Sequence, residues 1–369
     1  MGIRPRAMEE MVMTPAFWNG KAVFVTGHTG FKGSWLALWL TQLGARVVGY
    51  ALPPPTTPSL FELAGVAQAM TSLEADVRDL GRLRKAVNEA KPDVVFHLAA
   101  QSLVRHSYQE PVETYATNVM GTVNLLEAVR HCPSVRATVV VTSDKCYENK
   151  EWLWGYREDE PMGGYDPYSS SKGCAELVTA AYRRSFLAGK RADRGATGVA
   201  SARAGNVIGG GDWAKDRLVP DVLEAFAARR RASIRSPDAV RPWQHVLEPL
   251  AGYLLLAEKL YSDAGEFGGA WNFGPGDEDV RPVSWIVDRL RDYWGDGAAW
   301  QVDATPQPHE AAYLKLDCAK ARERLGWAPK LTLEPALEWI AEWHRAYLNG
   351  ENMRRITEAQ IARHQARGS

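Results

Sequence analysis

Tyr168 and Lys172 stand four residues apart in the run Tyr168-Ser169-Ser170-Ser171-Lys172, a spacing that sets both on one face of a helix. A lysine ammonium beside a phenol favours the phenolate, which makes a base able to take a proton from a sugar hydroxyl while hydride leaves the same carbon. A second group, Ser143-Asp144-Lys145, follows the apolar run Ala137–Thr142. Ser143 is suited to hydrogen-bond the reacting oxygen. Asp144 and Lys145 add an acid and a base that plain alcohol oxidation does not need, although a polar turn at a strand end would look the same taken alone. The third group is Thr26-Gly27-His28-Thr29-Gly30-Phe31-Lys32-Gly33, with glycines spaced three and three. Gly27 permits a tight turn, Gly30 lets backbone approach a pyrophosphate, and Gly33 lets a helix pack closely with its N-terminus toward the anion. The GK[ST] ending of a mononucleotide phosphate loop is absent.

Alternating strand and helix patterns must position these groups. Strands are predicted at Lys21–Thr26, Arg46–Tyr50, Pro92–Leu98, Ala137–Thr142 and 197–203. Helices are predicted from Trp35 to Leu43, from Leu80 to about Ala90, over roughly Pro111 to Val129, and over 168–188. This is the pattern of an α/β protein built on a Rossmann-like, doubly wound parallel sheet, with a ligand crevice at the C-terminal ends of its strands. Helical patterns follow at 218–230, 283–294 and 334–347, which a family resemblance carried by the longer motifs assigns to a smaller C-terminal substrate-binding lobe. The expected division is a dinucleotide-binding core over 19–203 with a return to the sheet around 246–275. Residues 204–245 and 276–350 then fall mainly in the lobe, with terminal extensions at 1–18 and 351–369, the first loose and the second frayed or helical at the surface.

Composition narrows the classes of function. Across 369 residues, 44 Lys and Arg balance 44 Asp and Glu, which argues against nucleic-acid binding by broad counterion release. Cys132, Cys146, Cys174 and Cys318 are scattered and form no CxxC pair. Neither a disulfide framework nor a metal site is expected, and a reducing cytoplasm fits. No apolar run approaches the ~18 residues of a membrane helix, and no secretory apolar segment opens the chain.

The choice of dinucleotide stays open at the level of residues. An NAD-binding strand two usually ends in an acid that holds the ribose hydroxyls. Here Tyr50-Ala51-Leu52 takes that place, and no acid occurs before Glu62. His28 and Lys32 would suit an added 2′-phosphate, although Lys32 fits a solvent-facing position as well. Asp76 reads either as an adenine-side contact or as the cap of the next helix.

Longer stretches carry a resemblance. VTGHTGFKGSWL at 25–36, HLAAQSLVRHSY at 97–108, TSDKCYENKEWLWGYRE at 142–158, GGYDPYSSSKGCAEL at 163–177, ARAGNVIGGGDW at 202–213 and RPWQH at 241–245 resemble the extended short-chain dehydrogenase/reductase family. Within it they are most similar to the CDP-glucose 4,6-dehydratases, over roughly residues 19–345. The resemblance implies NAD as cofactor, with Leu98, Ala99 and Ala100 passing beneath it and Asn118 in a structural or cofactor-side role. It implies CDP-glucose as substrate, met by Gln101, Ser102, Arg203, Asn206 and, at the pyrophosphate, Arg241. Ser143, Asp144 and Lys145 correspond to a Thr-Asp-Glu motif in related dehydratases, whose members orient the 4-hydroxyl, protonate the leaving 6-hydroxyl and remove the C5 proton. A lysine at the third position departs from the wider family. The resemblance further implies a cytoplasmic homodimer or homotetramer feeding deoxyhexose synthesis for a surface lipopolysaccharide. A nucleotide-sugar 4-epimerase, or a dehydratase of dTDP- or UDP-glucose, shares the glycine turn and the Tyr–Lys pair. The Asp144-Lys145 pair separates dehydration from epimerisation.

Overall fold

The structure is a computed structural model that describes residues 14–187, 196–295, 297–303, 305 and 313–367. In chain order the first strands are β1 (Ala22–Thr26), β2 (Arg46–Ala51), β3 (Thr71–Glu74), β4 (Val94–His97), β5 (Ala137–Val141) and β6 (Gly198–Ala204). The chain then leaves for β7 (Asn206–Ile208), β8 (Arg231–Ile234) and β9 (Val240–His245). It returns as β10 (Gly269–Phe273), followed by β11 (Val280–Pro282) and β12 (Ala299–Val302).

Seven of these form one parallel sheet in the order β10-β6-β5-β4-β1-β2-β3. β1, β4, β5 and β6 are buried along their whole length, as unbroken apolar strands covered by helices on both faces must be. Strand order reverses between β1 and β4, where a doubly wound sheet opens its ligand crevice. Thr26 pairs with His97, and His97 with Val140, so the tips of β1, β4 and β5 finish at nearly one level. A buried chain fixes that level: Thr26 Oγ1 lies 2.7 Å from His97 Nδ1, and His97 Nε2 lies 3.2 Å from Thr122 Oγ1. Burial pushes His97 down to about 3, so it stays neutral.

Local sequence explains the helices beside the crevice. Asp79 caps Leu80–Ala90 by accepting from Arg82 N at 2.9 Å. Asp166 caps Pro167–Tyr182 by accepting from Ser169 N at 2.9 Å, with Pro167 at the first position, where its missing N–H costs nothing. The predicted helix near 111–129 runs from Pro111 to Arg130 but widens into a π turn at Ala116–Met120. Several predicted bounds shift by a residue or two. The first helix begins at Phe31 rather than Trp35, because the glycine turn feeds straight into it.

The lobe is built from β7–β9–β11 and a separate β8–β12 pair. Its core includes Val222, Phe226, Trp243, Ile286, Leu290 and Leu337. Both ends of the described chain are tied in. Trp18 is fully buried and donates to Glu258 Oε1 at 2.8 Å. Residues 1–13 lie outside the described residues. At the other end, 351–369 is expected to be frayed or helical at the surface; Met353–Gln365 is a helix, but it packs inward and buries Met353, Thr357, Ile361 and His364. His364 Nε2 meets Glu248 Oε1 at 2.8 Å, and Glu248 also accepts from Lys330 N and Leu331 N at 2.9 and 3.0 Å. Among the described residues no helix is long and apolar enough to cross a membrane.

The Glu248 carboxylate is buried and His364 is its side-chain partner. His364→Ala should therefore cost about 2–4 kcal/mol. It should appear as a lower urea midpoint, whereas a midpoint equal to wild type would show that the C-terminal helix is not locked through this contact.

Candidate active site

The loops after β1, β4, β5 and β6 and the facing lobe enclose a cleft of about 1500 Å³. That exceeds the ~300–1,000 Å³ of an ordinary small-ligand pocket, so there is room for two nucleotides. The glycine turn forms one wall. Gly27 has φ +76°, and a Cβ there would lie 2.7 Å from Ala99 N, so only glycine lets the turn touch the tip of β4. A Cβ on Gly33 would collide with the Gly27 carbonyl oxygen. Gly30 is open on its exposed side, and no side chain caps the helix Phe31–Gln42 that follows it. Its first N–H groups thus face the cleft as an anion site. Thr29, Phe31, Lys32, Asp76, Leu98, Ala99 and Ala100 also line the cleft.

Two expectations for this wall change. His28 is fully buried behind the turn, where Nε2 meets Ser72 Oγ at 2.7 Å and burial pushes it down to about 4. It is neutral and faces away from the cleft, so it offers no charge to a 2′-phosphate. Lys32, by contrast, is half-buried and lies on the cleft wall. Burial together with the charges of Lys172 and Arg217 lowers it to about 7, against the pull of Asp144. Asp76 is not the helix cap, since Asp79 takes that role. Its carboxylate is held below the usual range by hydrogen bonds from Arg78, whose Nη2 lies 2.6 Å away. In place of the missing strand-two acid, Tyr50 donates to Asp76 O at 3.0 Å and steadies that corner.

The side chains expected to react meet near the tip of β5. Ser143 Oγ donates to Asp144 Oδ1 at 3.0 Å and accepts from Lys145 N at 3.2 Å, shaping the short turn Asp144–Cys146. The Ser143 hydroxyl also lies beside the Tyr168 phenol. Burial pushes Tyr168 up to about 12, and the groups that ease its ionisation are the Ser143 hydroxyl and the Arg217 guanidinium. The sequence pattern assigns that work to Lys172, whose ammonium instead donates to Val141 O at 3.3 Å. Asp144 is 2% exposed, and its Oδ2 has no protein partner. Lys145 and Asn206 line the same cleft, and buried Asn206 Oδ1 likewise has no protein partner.

The remaining expected residues divide. Gln101 and Ser102 reach the cleft. The Gln101 amide is engaged by Leu103 and Thr114, so it braces its own loop. Ser102 Oγ accepts from Arg217 Nη2 at 2.8 Å. Asn118 is buried on the π turn and clamps Gln101 and Ser171, with Nδ2 donating at 2.9 and 2.8 Å, which is a structural role. Arg241 lines the lobe side of the cleft. Arg203 does not reach it: the side chain is buried and paired with Glu176 at 2.9 Å, which is inconsistent with a substrate contact. Sequence reading missed Arg217, which lines the cleft and is anchored by Asp212 at 2.8 Å. It lies in the polar run Ala214-Lys215-Asp216-Arg217, where no periodicity marks one cation over another. Lys32, Lys145, Lys172, Arg217 and Arg241 give the cleft a cationic lining suited to a diphosphate.

Fold and site together define a Rossmann-type dehydrogenase/reductase with a Ser–Tyr–Lys centre and an added acid. Residues 24–261 match a family model described as GDP-mannose 4,6 dehydratase. The chain is 57% identical over 346 residues to a CDP-glucose 4,6-dehydratase of Salmonella typhimurium, a match that covers 94% of this chain and 96% of that protein. It is 26% identical to a UDP-glucose 4-epimerase of Halalkalibacterium halodurans, over 89% of this chain and 97% of that one. A solved UDP-glucose 4-epimerase of Stenotrophomonas maltophila, with bound NAD and a formylated UDP-arabinopyranose, shares the fold at TM-score 0.77 and 21% identity, covering 89% and 99% of the two chains. MoeE5 in complex with UDP-glucose and NAD does so at TM-score 0.72 and 24% identity, covering 88% and 99%. The chain belongs to the CDP-glucose 4,6-dehydratase family, within the wider dehydratase family of that model.

Gly33→Ala should weaken dinucleotide binding at least about tenfold, a loss of ~1.4 kcal/mol, since the helix must back away from the turn. Isothermal titration calorimetry with NAD checks this, and an unchanged Kd would show that the turn tolerates the side chain.

Proposed function

We propose that this chain converts CDP-D-glucose to CDP-4-dehydro-6-deoxy-D-glucose and water, with NAD as cofactor. One observation carries the reading: the buried Asp144 carboxylate lines the cleft beside the Ser143–Tyr168 pair with one oxygen free of protein partners. Oxidation and epimerisation at C4 need no such acid, whereas loss of the 6-hydroxyl does. The glycine cradle and the uncapped helix start fit the pyrophosphate of a dinucleotide, and Gly27, Thr29, Gly30, Phe31 and Gly33 would hold it, with Asp76 toward the adenosine end. Bound there, NAD would supply the hydride acceptor for C4 and the hydride donor for C6.

The chain's own groups move the protons. Ser143 orients the 4-hydroxyl, and Tyr168 takes its proton as C4 becomes a ketone. The ketone acidifies C5–H. Lys145 takes that proton while Asp144 gives one to the departing C6 oxygen, so water leaves and a C5–C6 double bond forms. Lys145 then returns a proton to C5, Tyr168 releases the proton it took as Asp144 regains one, and the 4-keto-6-deoxy sugar results. Arg241, Arg217 and Asn206 meet the diphosphate and sugar side of the substrate. The family relationship supports cytidine as the base.

The chain is further proposed to act in the cytoplasm as a homodimer or homotetramer, without nucleic-acid partners. Val112, Met120 and Leu177, on helices flanking the active site, are 80%, 51% and 61% exposed, which supports self-association there.

Mass-spectrometric turnover of CDP-, dTDP-, UDP- and GDP-glucose, each with and without NAD, tests the function. Loss of one water from CDP-glucose is expected, and intact mass with every donor would contradict it. Asp144→Asn should lower turnover by roughly a hundredfold or more. It should still allow reduced nicotinamide to form in a single turnover, because oxidation at C4 does not use the acid.

A further inference from the structure

Glu176 is a buried carboxylate that the reaction above does not use, one turn beyond Lys172 on the helix Pro167–Tyr182. Thr142 Oγ1 donates to its Oε1 at 2.5 Å. Ser201 Oγ and Arg203 Nη2 donate to its Oε2 at 2.6 and 2.9 Å. Thr142 directly precedes Ser143, while Ser201 and Arg203 belong to β6. One side chain therefore ties the helix bearing Tyr168 and Lys172 to the strand end bearing Ser143 and Asp144. Arg203 extends the network, since its Nη1 donates to Tyr147 Oη at 2.7 Å, and Tyr147 donates to Asn272 Oδ1 on β10 at 2.7 Å.

A buried ion pair is weak evidence of a stabilising role, because an apolar pair often serves as well. The placement of this one supplies another reason for its charge. Residues four apart on a helix are neighbours on one face, so Glu176 stands beside Lys172 on the side away from the cleft. We infer that Glu176 is a positioning residue for the reaction: its carboxylate holds Ser143 and the Tyr168–Lys172 pair at working distance, and its charge keeps Lys172 an ammonium. This rests on the role given to Tyr168 above, and it adds that turnover needs the Lys172 ammonium, which is held on Val141 O at 3.3 Å.

The surroundings of Lys172 agree. Burial lowers it to about 8, and Glu176 is the foremost group opposing that fall, followed by Cys146. Cys146 is itself pushed well up by burial and stays a neutral thiol. Of the other groups facing this region, Lys32 from the first helix is repelled by Lys172, and His97 from β4 is neutral. Asp144 after β5 is turned to the cleft, Arg203 from β6 is engaged by Glu176, and Arg217 is held by Asp212. The sign follows: loss of the Glu176 charge lets Lys172 give up its proton at lower pH.

The test is the pH profile of kcat for the full chain with saturating CDP-glucose and NAD. Wild type should lose activity as pH rises through about 8. E176Q/R203M removes both charges together, so neither is stranded. Its alkaline limb should move down by about one pH unit with KM within about twofold. E176D keeps the charge but withdraws the carboxylate by one methylene. It should leave the limb in place and lower kcat by roughly fivefold or more, with KM little changed. A folded double variant with the wild-type limb, or E176D with wild-type kcat, would overturn the inference, and E176D decides if the double variant does not fold. The Lys172 titration read by NMR of ε-13C-labelled lysine, in wild type and E176Q/R203M, needs no substrate. A shift there with no turnover of CDP-glucose by wild type would overturn the proposed function while upholding the coupling of Glu176 to Lys172. Normal turnover with no shift would do the reverse.

Discussion

Close approach of backbone to backbone at Gly27 is the constraint on which the rest of the site depends. With no Cβ there, the turn after β1 rests on Ala99 at the tip of β4, and with none on Gly33 the next helix rests on the turn. That contact brings the helix N-terminus and two strand ends to one level. Parallel pairing then carries the same level across to β5, where Ser143 and Asp144 emerge. The proposed dinucleotide cradle and the proposed reacting groups share one floor because both lie at strand tips of one sheet.

On that floor, charge is arranged by burial. Lys32 and Lys172 are both lowered by desolvation, so the cleft holds amines closer to neutrality than free lysine. The Tyr168 phenol is pushed the other way, and the Ser143 hydroxyl and Arg217 oppose that rise. Behind the floor, Glu176 and Arg203 close a network in which each carboxylate oxygen has a named donor. The cleft side differs, since Asp144 Oδ2 and Asn206 Oδ1 lack protein partners. Buried polar atoms left open toward a cleft are where a hydroxyl-rich ligand gains most from binding.

Much of this was legible in the residues. The glycine spacing, the Tyr–Lys interval and the Ser-Asp-Lys run after an apolar strand each name a local geometry, and the sheet places them together. Edges and partners were less legible. β3 is short and exposed, so it carries no apolar alternation, and only its downstream Asp76 drew notice. Arg203 lies in a motif that points to substrate, yet its guanidinium turns inward because Glu176, 27 residues earlier, waits there. His28 sits in the glycine turn but faces Ser72, a contact set by the packing of β2 and β3. Arg217 becomes part of the site through Asp212 and Ser102, the latter 115 residues away in sequence. A side chain's direction depends on such distant partners, and sequence spacing does not encode them.

The central claim is that oxidation, elimination and reduction occur in one closed site on one sugar. Turnover of C4-deuterated CDP-glucose mixed with uniformly 13C-labelled CDP-glucose tests it most directly. The account requires deuterium at C6 of the product, confined to molecules without the carbon label. Deuterium retained at C4, lost to solvent, or found on carbon-labelled product would contradict it.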